Sequence, residues 1–242
     1  MTAIGPTPAA RWASFGALAL ALISSIGSRP AVAQEAVDRA TRAALSLEAH
    51  PARGAVEFGR LCARCHGARG QGDAVRAIPA LAGQRFSYLV RQLANFHAGL
   101  RESARMHSVV SQAELRSPQD WADIAAFLSK APPPPVTQAG TGTHVALGRG
   151  IFHEQCASCH RYDARGDDDG FVPSLRNQHY SYLVKQMHRL AGGERHNMDE
   201  NLVRFLRSFD DRDVDAVADY LSRLHGPGGG RGGTRGHGAR PH

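Results

Sequence analysis

The sequence predicts a mostly α-helical chain built from two copies of one domain, and three observations carry that prediction. Residues 62–92 and 156–186 align without a gap at an offset of 94. Apolar positions recur at helical spacing in three windows of each copy, and no window shows sustained period-two alternation. All four cysteines of the 242 residues fall in two short clusters, Cys62/Cys65 and Cys156/Cys159, and each cluster ends in a histidine. At 42% hydrophobic and 21% charged the composition is that of an ordinary globular protein, which excludes wholesale disorder and a polytopic membrane protein.

The elements follow in chain order. Residues 1–33 read as an export signal, with Arg11 ahead of an apolar run at 12–26 and a small-x-small cleavage site at Ala31-Val32-Ala33. That run is shorter than the roughly 20 residues needed to span a bilayer; an uncleaved anchor is the alternative. Cleavage after Ala33 makes Gln34 the first mature residue, and 34–50 is a short lead. The first domain, 51–131, is expected to hold helices over 54–66, 85–98 and 118–130, with Pro118 at a helix start where proline is tolerated. A Pro-rich linker, 132–143, opens with four consecutive prolines and predicts an extended polyproline spacer. The second domain, 144–225, repeats the pattern with helices over 147–160, 179–191 and 211–224. The Gly/Arg/His tail, 226–242, cannot bury a core and is expected to be disordered. No other stretch can span a membrane, so the mature chain is expected to be soluble and outside the cytoplasm.

Within the repeat, Cys62 aligns with Cys156, Cys65 with Cys159, His66 with His160 and Pro79 with Pro173. Leu81 then meets Leu175, Gln84 meets Gln178, the Ser-Tyr-Leu-Val run at 87–90 meets that at 181–184, and Gln92 meets Gln186. The register slips later, where Met106 and Met198 stand 92 apart.

Both clusters fit Cys-x-x-Cys-His, the attachment pattern of c-type haem. Thiols three apart on a helix share a face and can bond both vinyl groups of one haem, with the next residue's imidazole carried to the iron. The alternatives fit poorly. A zinc site wants four ligands and each cluster offers three. A thioredoxin-type dithiol needs a βαβ setting, which is absent. The iron's sixth position is open to methionine, histidine, lysine or no ligand. Met187 lies inside an amphipathic helix and reads as core. Met106 and Met198 fall in the polar stretch between the second and third helices of each copy, with His107 and His196 as adjacent rivals. The other histidines, His97, His153, His179 and His188, read as surface or packing residues.

From these residues the chain resembles the dihaem cytochromes c of the cytochrome c4 type, over about residues 52–225. The resemblance rests on the two Cys-x-x-Cys-His clusters, on Pro79-Ala80-Leu81-Ala82-Gly83-Gln84, and on the Tyr-Leu-Val-x-Gln runs at 88–92 and 182–186. It implies two tandem class I cytochrome c domains, mostly α, related by pseudo-twofold symmetry. It implies two covalently bound haem c groups held by Cys62, Cys65, Cys156 and Cys159, with iron ligands His66/Met106 and His160/Met198. It also implies that the carbonyls of Pro79 and Pro173 accept a hydrogen bond from the ligating histidines, which fixes the imidazole tautomer. The four-proline linker, the tail, the second copy's Pro-Ser-Leu-Arg-Asn-Gln run and the surroundings of both methionines depart from the family pattern.

The expected function is electron transfer in the periplasm, with no catalytic residue, between an upstream cytochrome or dehydrogenase and a membrane terminal oxidase. The alternatives are the electron-accepting subunit of a dehydrogenase, or a dihaem redox enzyme such as a thiosulfate dehydrogenase or a peroxidase. The formal charge of +7 suggests nucleic acid at first sight. By region, however, 51–131 holds 11 bases against six acids, 132–225 holds 11 against 13, and the tail adds three arginines. Such a split fits either a soluble surface or orientation on charged redox partners, not a nucleic-acid face. Gln84/Gln178 and Tyr88/Tyr182 are read as orienting the haem propionates or the domain interface, or simply as packing helices.

Overall fold

The computed structural model describes residues 1, 29–112, 115, 117–135, 138–196 and 198–226. The tail from 227 onward and the apolar run of the export signal lie outside the described residues. Among the described residues no element is a strand, and three isolated bridges are the only β pairing.

Each copy is built on a crossing of its first and last helices. In the first, α2 (Pro51–Leu61) crosses α6 (Pro118–Lys130); in the second, α7 (Val145–Ile151) crosses α11 (Asp211–Ser222). Glycine makes both crossings close. A Cβ added to Gly54 would stand 2.0 Å from the carbonyl oxygen of Asp123, and one added to Gly148 would stand 1.9 Å from that of Ala216. One turn on, an aromatic pair fills each crossing: Phe58 with Phe127 at 5.5 Å, and Phe152 with Tyr220 at 5.7 Å. Leu89, Val90, Ile124 and Leu128 complete the first core; Leu183, Val217 and Leu221 complete the second. The middle helices are α4 (Phe86–His97) and α9 (Tyr180–Ala191), whose amphipathic pattern predicted them.

A buried carboxylate ties each crossing to the chain entering it. Asp123, 1% exposed, accepts from the His50 backbone N–H at 2.8 Å, from Gln119 at 2.8 Å and from the Arg53 guanidinium. Asp219 does the same work in the second copy, accepting from the Gly142 N–H at 2.6 Å and from Arg223 at 2.9 Å. Burial pushes the Asp123 carboxyl up, but these three donors outweigh it and hold the group below the usual carboxylate range. Its contribution to stability is therefore complete above the ordinary value of 3.8 and is lost as the pH falls through the lower folded value. Asp123→Asn is expected to cost the first domain ~1.5–3 kcal/mol at neutral pH. Chemical unfolding followed over a pH series will show the gap between variant and parent closing in strong acid.

Three helices were not foreseen. Residues 29–45, read as the end of a signal and part of a short lead, form α1 (Arg29–Leu45), so the expected cleavage site lies in its first turns. Val37, Thr41 and Ala44 bury one face of α1, and Val37 meets Ala94, Leu100 and Trp121. An ion pair from Asp38 to Arg91, 3.0 Å, fastens it to α4. The polar stretches between the middle and last helices hold α5 (Ala104–Val110) and α10 (Glu200–Leu206). Ser103 caps α5 by accepting from the Met106 N–H, and Asp199 caps α10 by accepting from the N–H groups of Asn201 and Leu202.

The Pro-rich linker is not a free spacer. Pro134 is buried, and its carbonyl accepts from Asn177 Nδ2 at 3.1 Å. Further on, Gln138 accepts from the N–H groups of Tyr180 and Ser181, and Arg223 donates to the Gly140 carbonyl at 2.8 Å.

The two copies meet through contacts that repeat in reverse. Gln84 Nε2 donates to the Ser174 carbonyl at 2.9 Å and its Oε1 accepts from the Ser174 N–H at 2.7 Å. Gln178 makes the same two bonds, both 3.0 Å, to Ala80, the equivalent of Ser174 at the 94-residue offset. Arg85 donates to the Arg165 carbonyl, and His179 to that of Gln71. Ser87 donates to the Asp168 carbonyl, and Ser181 to that of Ala74. Reciprocal pairing of this kind is what a twofold relation demands. It assigns Gln84 and Gln178 to the interface.

Candidate functional site

Each Cys-x-x-Cys-His cluster ends the first helix of its copy. α2 breaks at Cys62 and resumes as α3 (Ala63–His66); in the second copy a π-helical turn over Phe152–Cys156 leads into α8 (Ala157–His160). The break has one geometry in both, with φ/ψ of −111/−36 at Cys62 and −115/−29 at Cys156. Beyond it the loop is stapled identically. The Gly72 N–H donates to the His66 carbonyl and the Gly166 N–H to that of His160. Leu81 donates to Gly70 and Leu175 to Ala164, while bridges join Asp73 to Ile78 and Asp167 to Val172.

This loop brings a proline back over each histidine. His66 Nδ1 donates to the Pro79 carbonyl at 3.1 Å, and His160 Nδ1 donates to the Pro173 carbonyl at 3.1 Å. Burial holds both imidazoles below the usual histidine range, against the opposing effect of the proline carbonyls. The rings are therefore neutral near pH 7, with the proton on Nδ1 and the Nε2 lone pair available to a metal.

The thiols are compatible with the haem reading. None of the four cysteines is in a disulfide. Burial, with a contribution from the neighbouring cysteine, pushes Cys62 up to about 12 and Cys156 to about 11. A redox dithiol needs the opposite, a depressed value that yields thiolate. Among the described residues no three His, Cys, Asp or Glu side chains converge as a metal set, so the clusters do not form compact zinc sites. Two thiols and a neutral imidazole per cluster, in duplicate, fit a covalently held haem.

The residue after each histidine distinguishes the copies. Gly67 has φ 77° and ψ 153°, a region open to glycine; Arg161 is held at 68° and 153° in the second copy. Its ion pair with Asp167, 2.8 Å, is partly exposed and contributes little. Arg161→Gly is expected to stabilise the second domain by ~1 kcal/mol, read as a higher unfolding midpoint in denaturant.

The candidate sixth ligands sit differently from the expectation of two matching loops. Met106 is half-buried in α5, and Met198, also half-buried, lies in the turn before α10. Met187 packs into the second core, as its helical position suggested. Of the rival histidines, His107 Nδ1 donates to the Phe96 carbonyl at 2.9 Å, the same tie that His66 and His160 make through Nδ1, whereas His196 meets Glu102 through Nε2 at 3.2 Å. The His97 ring lies tilted against Trp121, 5.5 Å between centres, and His153 contacts Tyr162 and Tyr220.

Comparisons with known proteins agree with the geometry. A family model for cytochrome c matches twice, over residues 51–132 and 145–225. Cytochrome c4 of Azotobacter vinelandii is 27% identical over 68% of this chain and 85% of its own length. A "Thiosulfate dehydrogenase electron acceptor" of Stutzerimonas stutzeri is 31% identical over 67% of this chain and 78% of its own. The crystal structure of reduced cytochrome c4 from Pseudomonas stutzeri superposes with a TM-score of 0.65 at 26% identity, over 74% of this chain and 100% of that one. This chain belongs to the cytochrome c family, as a dihaem electron-transfer cytochrome of the c4 type with two tandem helical domains and two covalent haem c groups.

Proposed function

We propose that the chain carries electrons in the periplasm from an upstream cytochrome or dehydrogenase toward a membrane terminal oxidase. The observation that carries this reading is the duplicated imidazole geometry, in which His66 and His160 each present Nε2 while Nδ1 is tied to a proline carbonyl. Met106 and Met198 are the sixth ligands in this reading, as the His/Met pattern implied by the resemblance to the c4-type cytochromes has it; the geometry at His196, whose Nε2 meets Glu102, favours this in the second copy. Bound haem iron supplies a one-electron ferric/ferrous couple. Cys62, Cys65, Cys156 and Cys159 hold the rings, and the proline carbonyls fix the imidazoles and strengthen them as donors. A haem held by His66 with Met106, or by His160 with Met198, would take its iron ligands from side chains and leave no place for substrate, and a thioether ligand would raise the potential as a late respiratory carrier needs. Residues 1–33 serve as the export signal.

The test is a resting ferric spectrum followed by reoxidation. A methionine–iron charge-transfer band from both haems, and rapid oxidation of the reduced protein by membranes bearing a terminal oxidase, are expected. A high-spin ferric haem, or turnover of thiosulfate or peroxide by the purified chain, would overturn the reading. A second reading, acceptance of electrons from a thiosulfate dehydrogenase, draws on the 31% identical relative of that name. It predicts that such an enzyme reduces this chain in the presence of thiosulfate, with no product formed by the chain alone.

A further inference from the structure

Three features that set this sequence apart from its family come together at one place in the fold. They are the four-proline linker, the Pro-Ser-Leu-Arg-Asn-Gln run of the second copy and the start of the tail. Pro132, Pro133, Ser174, Arg176, Asn177 and Gly226 all line one cleft of about 310 Å³ between the two domains. Asn177 assembles its wall: Nδ2 donates to the Pro134 carbonyl at 3.1 Å, and Oδ1 accepts from the Gly226 N–H at 2.7 Å. Asn177 stands at φ 55°, in the left-handed conformation that its equivalent, Gly83, takes at φ 74°. The linker closes on Gly83, where an added Cβ would stand 3.1 Å from Pro133.

The lining is cationic. Lys130, the last residue of α6, comes from the first domain, and Arg176, three residues after Pro173, comes from the second. Among the described residues no Asp or Glu lines the cleft. Arg176 is mostly buried, and its Nε has no hydrogen-bond partner among them. Its Nη1 reaches Asp163 at 3.4 Å, a half-exposed carboxylate outside the lining. A buried N–H left unpaired is costly, and more so on a cation taken out of water. At the 94-residue offset Arg176 answers to Ala82 and Ser174 to Ala80, so the repeat does not supply these groups. They belong to the second copy alone.

We propose that this cleft binds a free tetrahedral oxyanion of the phosphate or sulfate class, held between Lys130 of one domain and Arg176 of the other. A guanidinium presents Nε–H and a neighbouring N–H side by side, and that fork matches two oxygens of one oxyanion. The lysine ammonium supplies a point charge, and the Ser174 hydroxyl a neutral donor. A spherical ion such as chloride cannot use the fork, and a dianion balances both cations. Because the two cations come from different domains, the bound anion bridges the domains beneath the linker. It therefore stabilises the paired arrangement by mass action.

The test is isothermal titration calorimetry of the haem-loaded full chain with sodium phosphate and with sodium sulfate, at an ionic strength held constant with sodium chloride. One saturable site is expected for each oxyanion. Lys130→Gln and Arg176→Gln are each expected to weaken binding about tenfold or more, the loss of a charge-assisted hydrogen bond. Arg176→Lys is expected to recover only part of the affinity, since an ammonium lacks the fork. Lys130 is exposed at a helix end, so Lys130→Gln decides the matter should Arg176→Gln fail to fold. The arginines of the tail are the control: replacing Arg231, Arg235 and Arg240 together by glutamine is expected to leave the affinity unchanged. Absence of a saturable site, unchanged affinity in Lys130→Gln, or loss of binding in the tail variant would each overturn the proposal.

Discussion

Gly148→Ala is expected to destabilise the second domain by about 3 kcal/mol or more, the upper end for overpacking a core. The added methyl would stand 1.9 Å from the carbonyl oxygen of Ala216, and both contacting groups are backbone, so no side chain can swing aside. α7 and α11 would have to separate, opening the contact of Phe152 with Tyr220 and the buried face of Val217. For a domain of this size the loss corresponds to a fall in Tm on the order of 10–25 °C. Gly54→Ala is expected to do the same to the first domain, where the methyl would meet the Asp123 carbonyl at 2.0 Å. Gly150→Ala is the control, since it lies on the same helix with nothing within 4 Å of the added methyl. That change is expected to be neutral or to stabilise by up to about 1 kcal/mol through helix propensity. Calorimetry of the three proteins checks the set, and equal Tm values for Gly148→Ala and Gly150→Ala would refute the close crossing. Because α7 runs directly into Cys156 and His160, the same variant is expected to lower haem loading of the second cluster and spare the first.

Met106→Ala and Met198→Ala are expected to have the largest effects on redox chemistry. Each should remove the thioether–iron charge-transfer band of one haem and lower its potential by well over 59 mV, which is tenfold in the equilibrium. Loss of a methionine ligand in favour of water or imidazole removes the feature that raises the potential. The first haem of Met106→Ala should also bind added imidazole or cyanide readily, as its sixth position becomes open. Absorbance and potentiometry read both effects. An unaltered spectrum in Met106→Ala would reassign that ligand, with His107→Ala as the next variant. The analogous result at Met198 would point to His196.

Much of this molecule was legible in the chain because local rules write it there. Helical periodicity marked the six principal helices, and the duplicated Cys-x-x-Cys-His pattern marked the haem clusters. α5 and α10 were missed because seven residues give too short a period, although the caps Ser103 and Asp199 were readable signals. α1 was missed because a signal reading had claimed its first turns and its buried face is narrow.

What the sequence determined alone is the chemistry of attachment: two thiols and an imidazole at fixed spacing, twice, on helical segments. Tertiary structure decided how those groups are held and joined. Only in the fold does Pro79 return to His66, 13 residues away, and Gly54 reach Asp123 across a helix crossing. Gln84 and Gln178 were visible as a repeated pair, but their partners, Ser174 and Ala80, stand 90 and 98 residues away. Nothing in the sequence sets Arg101 and Arg195 apart, yet both are buried where the two copies meet. A period or a motif reports on neighbours along the chain; the burial of two like charges together depends on which loops a twofold axis brings face to face.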